Sequence, residues 1–125
     1  MSEATEGQEM KFTIQYPPSL KGYGLNDIYA GKHWAKRKKD SEYWHWIVHS
    51  ELNKQGIKKR LFKKPVSITF NWNDRLDVDN HAYIGKMIAD ALKGYLIIDD
   101  TRKYFVKVAH QFHEGKYILV EVKEV

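Results

Sequence analysis

Val66-Ser-Ile-Thr-Phe-Asn-Trp72-Asn-Asp-Arg75-Leu-Asp77-Val-Asp79-Asn80 is a stretch that changes its period partway along. Val66 to Trp72 alternates apolar and polar residues, the repeat of a half-buried strand, and Asn73-Asp74-Arg75 supplies a turn at its end. From Asn80 to Lys93 the repeat becomes helical: Ile84, Met87, Ile88, Ala91 and Leu92 fall at i, i+3, i+4, i+7 and i+8. Asp79 and Asn80 are good residues to cap that helix, and Gly94 is a good residue to stop it. Tyr95-Leu-Ile-Ile98 follows as a short apolar run, expected to be a buried strand, and Asp99-Asp100-Thr101 ends it.

Outward from this strand–helix unit, Lys11 to Tyr16 also alternates, and Pro17-Pro18 stops it by removing backbone donors. Residues 19–33 are rich in Gly, Asn and Asp and read as a loop holding Tyr23, Asn26 and Tyr29. Asp40 or Ser41 caps a helix expected to reach about Gln55, with Trp44, Ile47, Val48 and Leu52 on one face and Gly56 beyond its end. Tyr104 to Phe112 and Tyr117 to Glu124 read as strands joined in a hairpin at His113-Glu-Gly-Lys116. The expected fold is α+β: a small mixed sheet of about five strands with two packed helices. It forms a single domain over residues 10–125 behind a disordered lead-in at 1–9.

At 125 residues the chain supports one modest core. It has no cysteine, which excludes disulfides and thiolate metal sites and fits a reducing cytosol. No apolar run reaches the roughly 18 residues of a membrane span. The polar, acidic first residues lack the pattern of a secretory signal. The net charge of +5 is unevenly spread: residues 1–64 carry 13 Lys/Arg against 7 Asp/Glu, and residues 65–125 carry 8 against 9. A basic half beside an acidic cluster suits a protein that works on a polyanion through a metal.

The acidic cluster is where chemistry is expected. Asp77 and Asp79 are two residues apart, a spacing that in extended backbone aims both carboxylates to one side. Two such anions favour a hard cation between them, magnesium with manganese as the alternative. Asp99 or Asp100 supplies a third carboxylate if the Tyr95–Ile98 run lies beside the 66–72 strand. Lys86, one turn before Asp90, either stabilises charge on a phosphate or forms a routine surface ion pair. Lys32, Lys36, Arg37, Lys38 and Lys39 make the densest basic patch, with Trp34 or Tyr29 available to stack on a base. Lys58, Lys59, Arg60, Lys63 and Lys64 make a second. His45 and His49 share a helix face at a spacing that suits a metal, but with no acidic partner they read as solvent-facing.

Asp77-Val-Asp79-Asn80, a helix ending Asp90-Ala-Leu92, and then Asp99-Asp100 together resemble the RusA-like Holliday junction resolvases, endodeoxyribonucleases frequent in phages and prophages. The likeness is strong from Arg75 to about Lys103, with weaker echoes in Tyr16-Pro-Pro-Ser19, Asn26 and Tyr29. It implies that Asp77, Asp79 and Asp100 hold magnesium, that Lys86 is the essential lysine, and that Asp99 and Asn80 support the ligands. It also implies a homodimer that cuts opposing strands of a four-way junction in DNA recombination and repair, in the cytoplasm of a bacterium or of a phage's host. Arg75 and the patch of Lys32, Lys36, Arg37, Lys38 and Lys39 are expected to contact DNA. The chain departs from the family in one place. There the lysine follows the motif asparagine by three residues, whereas Lys86 follows Asn80 by six. Either His81-Ala-Tyr83 lengthens the loop, or the helix is a turn longer; His81 is then a candidate to approach the site. A dimer that binds branched DNA without cutting it is the alternative function, and a phosphohydrolase of small nucleotides a weaker third.

Overall fold

Val66, Ile68, Phe70 and Trp72 are all fully buried, and this one face of their strand is the floor of the core. The structure, a computed structural model, describes residues 8–125. Its elements are β1 (Glu9–Ile14), α1 (Leu25–Tyr29), α2 (Trp34–Lys54), β2 (Val66–Trp72), a 3-10 turn (Val78–His81), α3 (Ala82–Leu92), β3 (Phe105–Phe112) and β4 (Ile118–Glu124). The fold is α+β, as expected, with a four-stranded mixed sheet in the order β1-β4-β2-β3. β4 pairs antiparallel with both β1 and β2, and β3 pairs parallel with β2. Phe12, Ile14, Ile118, Val120 and Val122 complete the inward face. The apolar faces of α2 (Trp44, Ile47, Val48, Leu52) and α3 (Ile84, Met87, Ile88, Ala91, Leu92) are buried with them, giving the two-layer arrangement in which each amphipathic element hides one side.

The structure corrects four expectations. Tyr95–Ile98 is no sheet strand. Its backbone tucks against residues 60–62, with Arg60 N–H donating to the Tyr95 carbonyl and Phe62 N–H to that of Leu96, and it buries Leu96 and Ile97. The sheet therefore has four strands rather than five. β3 and β4 are not a hairpin, because β2 lies between them. α2 begins at Trp34, six residues before Asp40, capped by His33 Nδ1, which accepts from Ala35 N–H at 3.2 Å. Lys36, Arg37, Lys38 and Lys39 of the basic patch thus lie in the first turns of a helix, and Lys and Arg have good intrinsic helix propensity. The short helix α1 occupies part of the expected loop, making three helices. Of the expected lead-in, residues 1–7 lie outside the described ones, and Glu9 already belongs to β1. Gly56 and Gly94 both have positive φ one residue beyond the helix cap, as their stop positions require. Among the described residues no helix is long and apolar enough to cross a membrane.

Candidate nucleic-acid and metal site

β2 delivers the chain into the turn at Asn73–Asp74, and two buried contacts fix where it goes next. The His81 ring is fully buried, stacked on Trp72 at 4.3 Å between centroids, and its Nε2 donates to the Asp74 carboxylate at 2.7 and 2.9 Å. Asp74 also accepts from Tyr16 O–H at 2.8 Å and from Leu76 N–H at 2.9 Å. Asp74, His81 and Tyr16 thus tie the turn, the 3-10 segment and the end of β1 together. Residues 78–92 run on as one helical path, 3-10 and then α, with His81-Ala-Tyr83 inside it rather than in a loop. His81 is spent on this joint and not on the acidic site.

Asp77 and Asp79 stand exposed at the N-terminal end of that path. Neither makes a side-chain hydrogen bond or ion pair among the described residues, and the carboxylate of Asp77, in the N-cap position, accepts from no backbone N–H of the turn. Asp79 lies inside the 3-10 turn, so strand alternation does not aim the two carboxylates together. Asn80 is structural: its Oδ1 accepts from Asn26 N–H at 2.9 Å, and its amide fills the space where Gly24 would carry a Cβ. The Gly24–Asn26 segment is thereby clipped to the 3-10 turn. Arg75 is exposed and close by in sequence.

Asp100 sits at the other end of α3. Lys93 Nζ bonds it at 3.5 Å and approaches Asp90 at 3.7 Å, while Lys86 Nζ meets Asp90 at 3.5 Å. Partial desolvation would raise the pKa of the Asp100 carboxyl, but the Lys93 ammonium, through its charge and its hydrogen bond, outweighs this and holds the group below its ordinary value. Lys86 is 70% exposed in its side chain, so its pair with Asp90 is worth a few tenths of a kcal/mol. A groove of about 300 Å³ runs between α3 and β3, lined by Ala82, Lys86, Asp90, Asp100, Val108 and His110 among others. Asp79, Ala82, Lys86 and Asp90 recur every three or four residues and so form one row down the helix.

Asp99 is half-buried and turns its carboxylate to the Asp100 N–H at 2.9 Å. The run before it does not lie beside β2, so the condition for bringing Asp100 to Asp77 within one chain is not met. The eleven residues of α3 separate the two ends by about 16 Å along its axis. Among the described residues no three acidic, histidine or cysteine side chains are grouped to hold a metal.

The basic patch divides. Lys36, Arg37, Lys38 and Lys39 are exposed on the first turns of α2, with Trp34 64% and Tyr29 80% exposed beside them. Lys32 is engaged instead: it pairs with Asp40, donates to the Gly22 carbonyl at 2.8 Å and lies over the Tyr23 and Tyr83 rings. Tyr83 O–H donates to the same Asp40 carboxylate at 2.8 Å, and burial followed by Asp40 pushes the Tyr83 hydroxyl pKa far up. His45 and His49 stack at 4.4 Å, but His49 is half-buried and bonds the Ala91 carbonyl at 2.8 Å, joining α2 to α3.

Sequence reading missed the packing roles of Asp74 and His110, and it took Asp40, which lies inside α2 and holds Lys32 and Tyr83, for a helix cap. His110 stacks on Phe70, and its Nδ1 accepts from Trp72 Nε1–H at 3.1 Å. A lone histidine on a strand and an aspartate before a helix carry no distinguishing pattern, so only packing could reveal these roles. Comparison with protein-family models and with curated proteins finds no match to this chain.

Proposed function

We propose that the protein is a magnesium-dependent endodeoxyribonuclease acting on branched DNA as a homodimer. The observation that carries the reading is the pair of exposed carboxylates, Asp77 and Asp79, with which no cation among the described residues pairs, beyond the carboxyl end of β2. Ligands of α/β sheets bind beyond the carboxyl ends of parallel strands. All the donors are hard oxygens, which suits magnesium or manganese. Asp77 and Asp79 hold the ion, with Asp100 as the third ligand supplied as described below. A bound magnesium ion contributes Lewis acidity toward the phosphate and a more acidic water. Lys86, in the same helical row as Asp79, offers charge to the phosphate, and Arg75 contacts the backbone. Lys36 and Lys39, three residues apart on one side of α2, hold a DNA arm by neutralising phosphates.

A second reading is favoured by one observation: within a single chain Lys93 neutralises Asp100 away from Asp77 and Asp79. On that reading the protein binds branched DNA and does not cut it. Asp77→Asn separates the two. In magnesium the wild type nicks a labelled four-way junction and Asp77→Asn binds it without nicking; a wild type that binds but never nicks leaves only the binding module. Nicking by Asp77→Asn at the wild-type rate would falsify the assignment of this carboxylate.

A further inference from the structure

The two edges of the sheet are treated differently. At β1 the outward backbone is closed by side chains of α2 and its cap. Gln55 accepts from Thr13 N–H at 3.0 Å and donates to the Thr13 carbonyl at 2.7 Å, and Glu51 accepts from Gln15 N–H at 2.8 Å. At β3 nothing among the described residues does this: the strand pairs with β2 alone, and no side chain bonds its backbone. It is also apolar where it is exposed. Val106, Val108 and Phe112 are 47%, 51% and 52% accessible; Val108 and Phe112 share the helix-side face with His110, and Val106 sits where the ladder to β2 shifts register. A long, apolar, uncapped edge is a template for another strand.

We infer that β3 pairs antiparallel with β3 of a second copy, joining two four-stranded sheets into one, and that this dimer brings Asp100 of one chain to the Asp77–Asp79 end of the other. The occupant follows from the strand's own sequence. A two-fold axis at Ala109 sets Val108 against His110 and Lys107 against Gln111, so Val108 packs on the His110 ring on the helix side and no like charges oppose one another. β3 carries one charged residue in its eight, Lys107, and this register gives it a neutral partner.

The same axis reverses the strand, and that reversal concerns the acidic residues. Phe112 lies at the end of β3 where His81 and the 3-10 turn pack, the two rings 5.9 Å apart. Asp100 lies just before Phe105, at the opposite end. Antiparallel pairing sets the Phe112 end of one copy beside the Phe105 end of the other, so the acidic ends that one chain holds apart become neighbours between chains. His110 of the second copy also comes beside Val108 and adds to the outer wall of the groove. The shared acidic site rests on the nuclease reading; the strand pairing does not.

The test therefore has two readouts. The wild-type chain has no cysteine, and residues directly opposite in an antiparallel pair have Cα atoms about 4.5–5.5 Å apart, within disulfide range. Ala109→Cys is expected to form a covalent dimer on mild oxidation, and Lys107→Cys, offset from its own copy, is not. Val108→Lys is expected to shift the molar mass by light scattering from twice 14.8 kDa to 14.8 kDa without loss of circular dichroism. A monomeric wild type, or a dimer that Ala109→Cys fails to link and Val108→Lys fails to split, overturns the interface. For the shared site, Asp77→Asn and Asp100→Asn are coexpressed. Chains that exchange these residues rebuild one intact site in the mixed dimer, so nicking returns although each variant alone is inactive. An inactive mixture beside an active wild type overturns the sharing; a wild type that never nicks overturns the nuclease reading and the sharing with it, while the cysteine link still reports on the interface.

Discussion

A fully buried imidazole loses its hydration, and His81 recovers it through Asp74 and the Val78 carbonyl, which its Nδ1 meets at 3.2 Å. Replacing His81 by Phe keeps a ring against Trp72 but leaves the Asp74 carboxylate with one partner fewer. The expected cost is about 2–3 kcal/mol, the scale of a half-buried charged group losing its hydrogen bond. A lower urea midpoint at unchanged slope would register it, and an unaltered midpoint would show the joint to be dispensable. His110 makes a different prediction. Burial first, and then the nearby His81, lower its pKa, and its Nδ1 is occupied as an acceptor by Trp72. Below the unfolded value of about 6.5 the unfolded chain takes up a proton that the folded ring resists. This contribution to stability is thus full above that pH and falls as pH drops through it toward the lower folded value. His110→Gln is expected to flatten the decline of Tm between neutral and mildly acidic pH, and an unchanged decline would assign it to other groups.

At the scale of elements, the closing of the β1 edge depends on Gln55, the residue that also caps α2. Gln55→Ala removes two hydrogen bonds to Thr13 and is expected to cost about 1–2 kcal/mol by chemical denaturation. It also uncovers a second edge, so concentration-dependent association beyond the proposed dimer is the accompanying sign; neither change would mean that solvent serves Thr13 equally well. Elements with a regular repeat were legible in the sequence. Val66–Trp72 and the stripes of α2 and α3 matched because burial on one face imposes the period. What failed was pairing and termini. Gly115 in a short polar loop reads as a hairpin, yet no local residue tells which strand lies beside β3; β2 stands between β3 and β4. Tyr95–Ile98 is apolar for burial's sake alone: it packs Leu96 and Ile97 under Phe62 without entering the sheet. The start of α2 was missed because His33 caps it, a residue outside the usual oxygen-bearing set.

For the molecule as a whole, the candidate site was half legible. The types and spacing of Asp77, Asp79, Lys86 and Asp100 were on the page, but their distances depend on α3, whose length sets two ends of the cluster apart in one chain. The charge asymmetry was legible too, and it makes a prediction about solution behaviour. Lys36, Arg37, Lys38 and Lys39 stand exposed on consecutive residues of α2, while Lys32 is held by Asp40 and two rings. Consecutive residues point about 100° apart on a helix, so the four cannot all face one arm of DNA. Lys36 and Lys39 share a side, three residues apart, and are the pair expected to contact phosphate together. Each lost phosphate contact lowers the slope of log affinity against log salt by about 0.9. Lys36→Gln with Lys39→Gln is therefore expected to lower that slope by nearly two and to weaken junction and duplex binding alike. Lys32→Gln, by contrast, is expected to lower stability and leave the slope unchanged. Titration of a fluorescent junction across a salt series separates these effects. Equal slopes for the double variant and the wild type would move the DNA surface away from α2, to the Lys58–Lys64 stretch.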